Sequence, residues 1–172
     1  MLSKRIIACL DVRNGSVVKG VHFEGLRNAG DPAELAARYN EEGIDEVVIL
    51  DVTATIENRR ALADTVAAVA KRIFIPLTVG GGIRSESDAA AAVDAGADKV
   101  SLNTAALTNP DLITTLAARY GSQAVIVAID AKWEDGRAVV YVRRRRSAPR
   151  GPTAVTWMRP LVVPIQMCPS EV

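Results

Sequence analysis

Short apolar, β-branched runs recur along the first 130 residues, separated by alanine-rich stretches whose apolar positions fall at helical spacing. The runs RIIACL (5–10), EVVIL (46–50), IPLTVG (75–80), KVSLN (99–103) and AVIVAID (124–130) predict five strands. Between them the helix punctuation is explicit. Asp31, Pro32 and Glu34 stand in the order of N-cap, first-turn proline and capping-box acid, with Gly43 as terminator, and Asn109, Pro110 and Gly121 repeat that arrangement. Ser85 and Asp88 open another helix that stops near Gly96, and a further one over about Ala61 to Arg72 has weaker caps.

Strands that are apolar throughout and alternate with helices predict a parallel sheet, because parallel strands need crossovers and are buried on both faces. The class is α/β, and two architectures compete: an open doubly wound sheet or a β/α barrel. Strand ends separate them. Asp11, Asp51 with Thr53, the glycines after Val79, Asn103 with Thr104, and Asp130 follow five successive strands. An open sheet concentrates its site at one switch point, whereas a barrel draws on every strand, so the pattern favours barrel parentage.

Composition changes this picture mainly at the far end. With 172 residues, 49% of them hydrophobic, the chain suits one domain with a sizeable core. No early apolar stretch has the flanks of a signal peptide or the length of a membrane span, so a cytoplasmic location is expected. Cys9 and Cys168 lack metal-ligand spacing. Cys9, inside an apolar run, reads as a small buried hydrophobe, and neither a disulfide nor a metal is expected. The net charge of +1 hides an asymmetry. Residues 143–172 carry six arginines against one acid, Glu171, and five of the eight prolines. That composition interrupts helices and central strands, so 1–142 reads as the folded part and 143–172 as a poorly ordered Arg/Pro-rich tail. Four consecutive arginines could contact nucleic-acid phosphates, but no aromatic or helical frame accompanies them, and Trp133 and Trp157 form no stacking cluster. A nucleic-acid partner is not expected.

The candidate chemistry lies at the strand ends. In TVGGGIR, the glycines Gly80, Gly81 and Gly82 follow a parallel strand and precede a helix. Both a tight turn and a phosphate cradle fit, since side-chain-free backbone lets N–H groups approach an anion. Asn103 and Thr104, ending the next strand, could donate to the same anion. Asp11 and Asp130 would face a barrel mouth, where two carboxylates suit general acid and base work once their environments push their pKa values apart. Asp51 has the same placement and reads as either supporting or chemical. Lys19 lies in the long segment between the first strand and first helix, read as a loop: either a lid cation over a phosphorylated substrate or a solvated lysine. His22, the only histidine, reads as exposed. At the opposite ends, Arg5, Glu46 and Lys99 read as a charged rim or stabilising ion pairs.

The ordered motifs KRIIACLDV, GSVVKG, EVVILDVTAT, PLTVGGGIR, ADKVSLNTAA and GSQAVIVAIDAK closely resemble the cyclase subunit of imidazole glycerol phosphate synthase, of histidine biosynthesis, over residues 1–142. A related sugar isomerase of the same pathway is less similar at the opening and fourth-strand motifs. The resemblance implies an α/β fold that is an incomplete (βα)8 barrel, an N-terminal (βα)4 half plus a fifth strand. It also implies a lyase-type cyclase that takes ammonia from a glutaminase partner and converts phosphoribulosyl formimino aminoimidazole carboxamide ribonucleotide into imidazole glycerol phosphate and aminoimidazole carboxamide ribotide. It implies Asp11 and Asp130 as the acid/base pair, Lys19 as the lid cation, and Gly82, Asn103 and Thr104 as one phosphate site. No organic or metal cofactor is implied. It turns the rim residues Arg5, Glu46 and Lys99 into an ammonia entrance.

A full barrel of this kind takes about 250 residues, and only five of its strands are recognisable here. After GRAVVYV the composition changes in the way a shifted reading frame or a decaying gene produces, with TAVTW as the one echo of a further helix. This reading expects impaired or no turnover. It leaves as the alternative a non-catalytic, phosphate-binding half-barrel that pairs with a second copy through its open face.

Overall fold

Five short strands pair in the order in which the chain makes them. The computed structural model describes residues 4–21, 24–52, 59–134 and 137–141, with side chains placed outside 20–26, 59–60 and the positions from 130 onward. The expectations for His22, Thr53, Trp157, Cys168 and the tail 143–172 lie outside the described residues.

The elements are β1 (Ile7–Arg13), β2 (Ser16–Val21), β3 (Glu24–Gly30), α1 (Pro32–Glu41), β4 (Glu46–Asp51), α2 (Arg59–Ala70), β5 (Leu77–Gly80), α3 (Glu86–Asp94), β6 (Lys99–Leu102), α4 (Thr104–Thr108), α5 (Asp111–Tyr120), β7 (Val125–Val127), β8 (Asp130–Glu134) and β9 (Arg137–Tyr141). One sheet has the order β3-β2-β1-β4-β5-β6-β7, and β8 and β9 form a separate antiparallel pair. Within the large sheet β1, β4, β5, β6 and β7 are mutually parallel. Each crossover advances by one strand in the same direction, with no reversal. A doubly wound sheet reverses at its switch point and carries helices on both faces, whereas a barrel keeps advancing with helices on one face. This α/β fold, with its parallel-dominated sheet, is consistent with part of a (βα)8 barrel.

Strand parity decides which side chains pack on the helices. Leu10 and Val12 of β1, Val47 and Ile49 of β4, Leu77 and Val79 of β5, and Val100 and Leu102 of β6 lie in one core cluster with Ala36, Val66, Val69, Ala92 and Leu116 from the helices. The alternate positions, Cys9, Val48, Thr78 and Lys99, stand level with one another on the opposite face. Leu116 has no accessible surface, so Leu116→Ala costs about 2–5 kcal/mol through lost transfer energy and a cavity. Cys9 corrects an expectation. It is exposed, alternating with the buried Leu10 on the face away from the helices.

The caps explain the helix boundaries. Asp31 accepts hydrogen bonds from the Ala33 and Glu34 N–H groups, as the sequence predicts, and Ser85 accepts from Asp88 N–H. The second Pro-based cap is different. α5 has Pro110 itself as N-cap, with no side-chain cap bond, because the extra helix α4 already occupies Thr104–Thr108 and its C-cap is Asn109. α2 begins at Arg59, two residues before the predicted Ala61.

The largest correction concerns the segment after β1. Instead of a loop it forms the antiparallel hairpin β2–β3, laid against the edge of β1. Asn14 and Gly15 both have positive φ, 51° and 76°, the conformation of the two-residue hairpin turn that Asn-Gly sequences favour.

Candidate functional site at the strand ends

The register of the parallel strands brings most of the predicted residues to one edge of the sheet. Asp11 is level with Leu50, Leu50 with Gly80, Gly80 with Ser101, and Ser101 with Ile126. Asp11 therefore opens a row that runs across all five strands, on the face away from the helices. Burial pushes the Asp11 carboxyl up from the ordinary 3.8, the direction that suits a proton-transfer group. Asp51 differs from the expectation of equal placement. It is level with Val12 and follows Val47 and Ile49 in parity, so it continues the helix-facing row of β4 while Asp11 belongs to the other face.

The three consecutive glycines have three separate reasons. A Cβ on Gly80 would come within 2.8 Å of Leu50 Cδ2 and 3.0 Å of Ser101 Cβ, the neighbours on the two flanking strands. Gly81, at φ +88°, passes over the backbone of Asp51, and a Cβ there would overlap the Asp51 carbonyl oxygen. Gly82, at φ +74°, faces open space, with nothing within 4 Å of its Cβ direction. Close packing accounts for the first two, and only Gly82 combines a left-handed backbone with room for an approaching group.

Asn103 and Gly82 each lie two residues beyond the registered pair Gly80 and Ser101, so they leave adjacent strands side by side. Asn103 is half-buried at the start of α4, and Thr104 is exposed as the first residue of that helix rather than the last of the strand. Together these groups offer a backbone N–H, a side-chain amide and a hydroxyl on one rim, a donor set that suits an oxyanion.

Asp130 lies three residues beyond the fifth strand, which is shorter than the apolar run predicts. The fifth parallel strand ends at Val127, Ala128 N–H makes a last 2.8 Å bond to Leu102 O, and Asp130 opens β8. Its backbone follows the last parallel strand while Asp11 belongs to the first. Three strands intervene, about 19 Å along the sheet at the usual spacing of about 4.8 Å per step. The Asp130 side chain lies outside the described residues.

Lys19 is exposed on β2, opposite Arg27 of β3. Two cations thus face each other across the hairpin, close to a bulge between Lys19 and Val21.

At the other ends of the strands the rim charges do meet. Glu46 is 2% exposed. Its Oε2 lies 2.7 Å from Lys99 Nζ and 3.6 Å from Arg5 Nη1, while its Oε1 accepts from Thr78 Oγ1 at 2.5 Å. Buried carboxylates persist when paired and hydrogen-bonded, and this one has both kinds of partner. Sequence reasoning found the three charges and missed Thr78, whose signal was a lone polar residue inside an apolar strand. It also missed Asp45 and Asp98. Asp45 Oδ2 accepts from Ile6 N–H at 2.6 Å, and Asp98 Oδ2 from Leu77 N–H at 2.8 Å. Their signal was the repeated Gly-x-Asp before a strand, GID and GAD.

Among the described residues no group of three His, Cys, Asp or Glu side chains is arranged to hold a metal ion, and no helix is long and apolar enough to cross a membrane.

Comparison with known proteins agrees with this architecture. The chain is 58% identical over 159 residues to the imidazole glycerol phosphate synthase subunit HisF of Acidobacterium capsulatum, which covers 92% of this chain and 62% of that protein. It is 54% identical over 157 residues to the subunit of the same name from Dehalococcoides mccartyi, covering 91% and 62%, and 57% identical over 141 residues to that of an Exiguobacterium species, covering 82% and 55%. The chain therefore spans at most 62% of the length of these relatives. A family model described as histidine biosynthesis protein matches residues 5–162, a stretch that holds every strand described above, and the chain belongs to that family.

Proposed function

We propose that the chain acts as the cyclase of histidine biosynthesis, in the cytoplasm. In this reading it uses ammonia from a glutaminase subunit to convert phosphoribulosyl formimino aminoimidazole carboxamide ribonucleotide into imidazole glycerol phosphate and aminoimidazole carboxamide ribotide. The observation that carries the reading is the shared rim. Asp11, Asp51, Gly81, Gly82, Asn103 and Thr104 emerge in sequence order from neighbouring parallel strands, in a chain 58% identical to a HisF subunit.

The roles follow from the chemistry of each group. Gly82 N–H, the Asn103 amide and the Thr104 hydroxyl hold one substrate phosphate. Asp11, with its raised carboxyl, exchanges a proton with the substrate, and Asp130 is its partner across a closed barrel. Asp51 and Gly81 support that rim. Lys19, on the hairpin, supplies a cation toward the phosphorylated substrate. At the opposite end Arg5, Glu46 and Lys99 form the ammonia entrance and the face that meets the glutaminase.

Ammonia-dependent turnover by the full chain, lost in Asp11→Asn and in Asp130→Asn, tests this reading. A second reading rests on the sheet face away from the helices, where Cys9 is exposed and Ile7 is 40% exposed. It is a non-catalytic half-barrel that binds phosphate and pairs with a second copy through that face. Phosphate binding and a dimer in sedimentation, without turnover, would favour it over the cyclase.

A further inference from the structure

We propose that Gly81 is a positioning residue: its backbone rests on that of Asp51, so the seat of the glycine loop fixes the end of β4. The inference deepens the phosphate-rim reading above and rests on it. A Cβ at Gly81 would overlap the Asp51 carbonyl oxygen and come within 2.7 Å of the Asp51 nitrogen and 2.9 Å of its carbonyl carbon. All three atoms are main chain. Relief therefore requires moving a backbone, not a flexible side-chain tip.

The contact continues into β1. Val52 N–H donates to Val12 O at 3.0 Å, Asp51 is level with Val12, and Asp11 is the preceding residue of β1. Close-packed backbones transmit a displacement instead of absorbing it. A shift of the loop at Gly81 thus reaches Asp51 at once and Asp11 through the β1–β4 ladder. Gly82, one residue on, has nothing within 4 Å of its Cβ direction and is the member of the loop with room for an anion. Anion at Gly82, main chain at Gly81 and carboxylate at Asp51 form one mechanical line. A substrate phosphate seated on the rim thereby sets the position of the carboxylate nearest to it in the chain of contacts.

Gly82 provides an internal control, because both glycines have positive φ and an alanine at either meets the same left-handed penalty. Only Gly81→Ala adds the clash. Backbone amide NMR of the full chain, titrated with inorganic phosphate, reads the coupling. The expected result is movement of the Asp51 and Val52 amides together with those of Gly82, Asn103 and Thr104. In unliganded protein, Gly81→Ala should displace the Asp51 and Val52 amides and weaken phosphate binding by about fivefold or more, while Gly82→Ala leaves those two amides in place. Movement at Gly82, Asn103 and Thr104 with Asp51 and Val52 still would overturn the coupling and keep the phosphate site. Absence of any response to phosphate would overturn both the phosphate site and the coupling built on it. Unmoved Asp51 and Val52 amides in Gly81→Ala would overturn the positioning role itself. Should Gly81→Ala fail to fold, the titration of the parent chain decides the proposal alone.

Discussion

Lys99 and Glu46 occupy the same position in two copies of one helix-to-strand junction, and their side chains meet at 2.7 Å. In both copies a glycine with positive φ ends the helix, Gly43 at 83° and Gly96 at 113°. The next residue reaches back five positions: Ile44 N–H to Tyr39 O at 3.3 Å, Ala97 N–H to Ala92 O at 3.0 Å, a Schellman-type closure. An aspartate then ties itself to the adjacent strand, and the residue after it begins a new strand. The repeat delivers an acid in one copy and a base in the other.

Because Glu46 is buried, removing its cation leaves a charge without full compensation. Lys99→Met should cost about 2–4 kcal/mol, since stripping one partner from a buried pair is strongly destabilising. Glu46→Gln should cost less, as Lys99 can extend toward water. Urea unfolding of both single variants and the double variant gives the coupling, expected at about 1 kcal/mol or more. A coupling below about 0.5 kcal/mol would show the pair to be energetically independent despite its geometry.

Asp45 and Asp98 act as strand staples. Each takes on its carboxylate an N–H at the start of a neighbouring strand, that of Ile6 just ahead of β1 or of Leu77 opening β5, while its own N–H bonds to the carbonyl of the same residue: Asp45 N–H to Ile6 O and Asp98 N–H to Leu77 O, both at 2.9 Å. Asp98→Ala leaves Leu77 N–H without its acceptor and should cost about 1–3 kcal/mol. Hydrogen exchange at Leu77 should quicken more than at Val79, two residues along. Equal acceleration at both would mean that the whole strand loosens and that the staple has no local effect.

Asp11 makes stability depend on pH in a stated direction. Its folded carboxyl lies above the ordinary 3.8 because burial disfavours the charged form. The folded protein therefore holds that proton more tightly than the unfolded chain does. The contribution is fully present below 3.8 and is lost as pH rises through the folded value. At neutral pH the ionised group opposes folding, so Asp11→Asn should be more stable than the parent at pH 7, and this advantage should shrink toward nothing in acid. Melting temperatures from pH 3.5 to 8 test it. An advantage independent of pH would assign the effect to packing.

Lys19 and Arg27 repel across the β2–β3 hairpin. Arg27→Glu should stabilise the hairpin by about 0.2–1 kcal/mol, the range for an opposite-charge cross-strand pair. The gain should fade in high salt, because exposed pairs are screened. Stability that falls, or that ignores salt, would show the two side chains to be directed apart.

The sequence by itself determined the five parallel strands, the caps at Asp31 and Ser85, and the residues that gather at each end of the sheet. These are local matters: periodicity chooses helix or strand, and a short polar side chain before a helix satisfies free N–H groups. The turn from β1 into β2 was also within reach, since Asn14-Gly15 between two extended runs is a turn signal. Other outcomes needed the tertiary structure. Parity placed Asp51 and Asp11 on opposite rows and left Cys9 exposed, because a one-residue difference in register exchanges the two faces of a strand. The early end of β7 moved Asp130 into a separate hairpin. The three glycines look alike in the sequence, and only the approach of Asp51 to Gly81 and the open space beside Gly82 tell them apart. Local sequence fixes what each segment becomes, but distances between segments arise from packing, and contact is what decides which neighbouring glycine holds the fold and which faces a ligand.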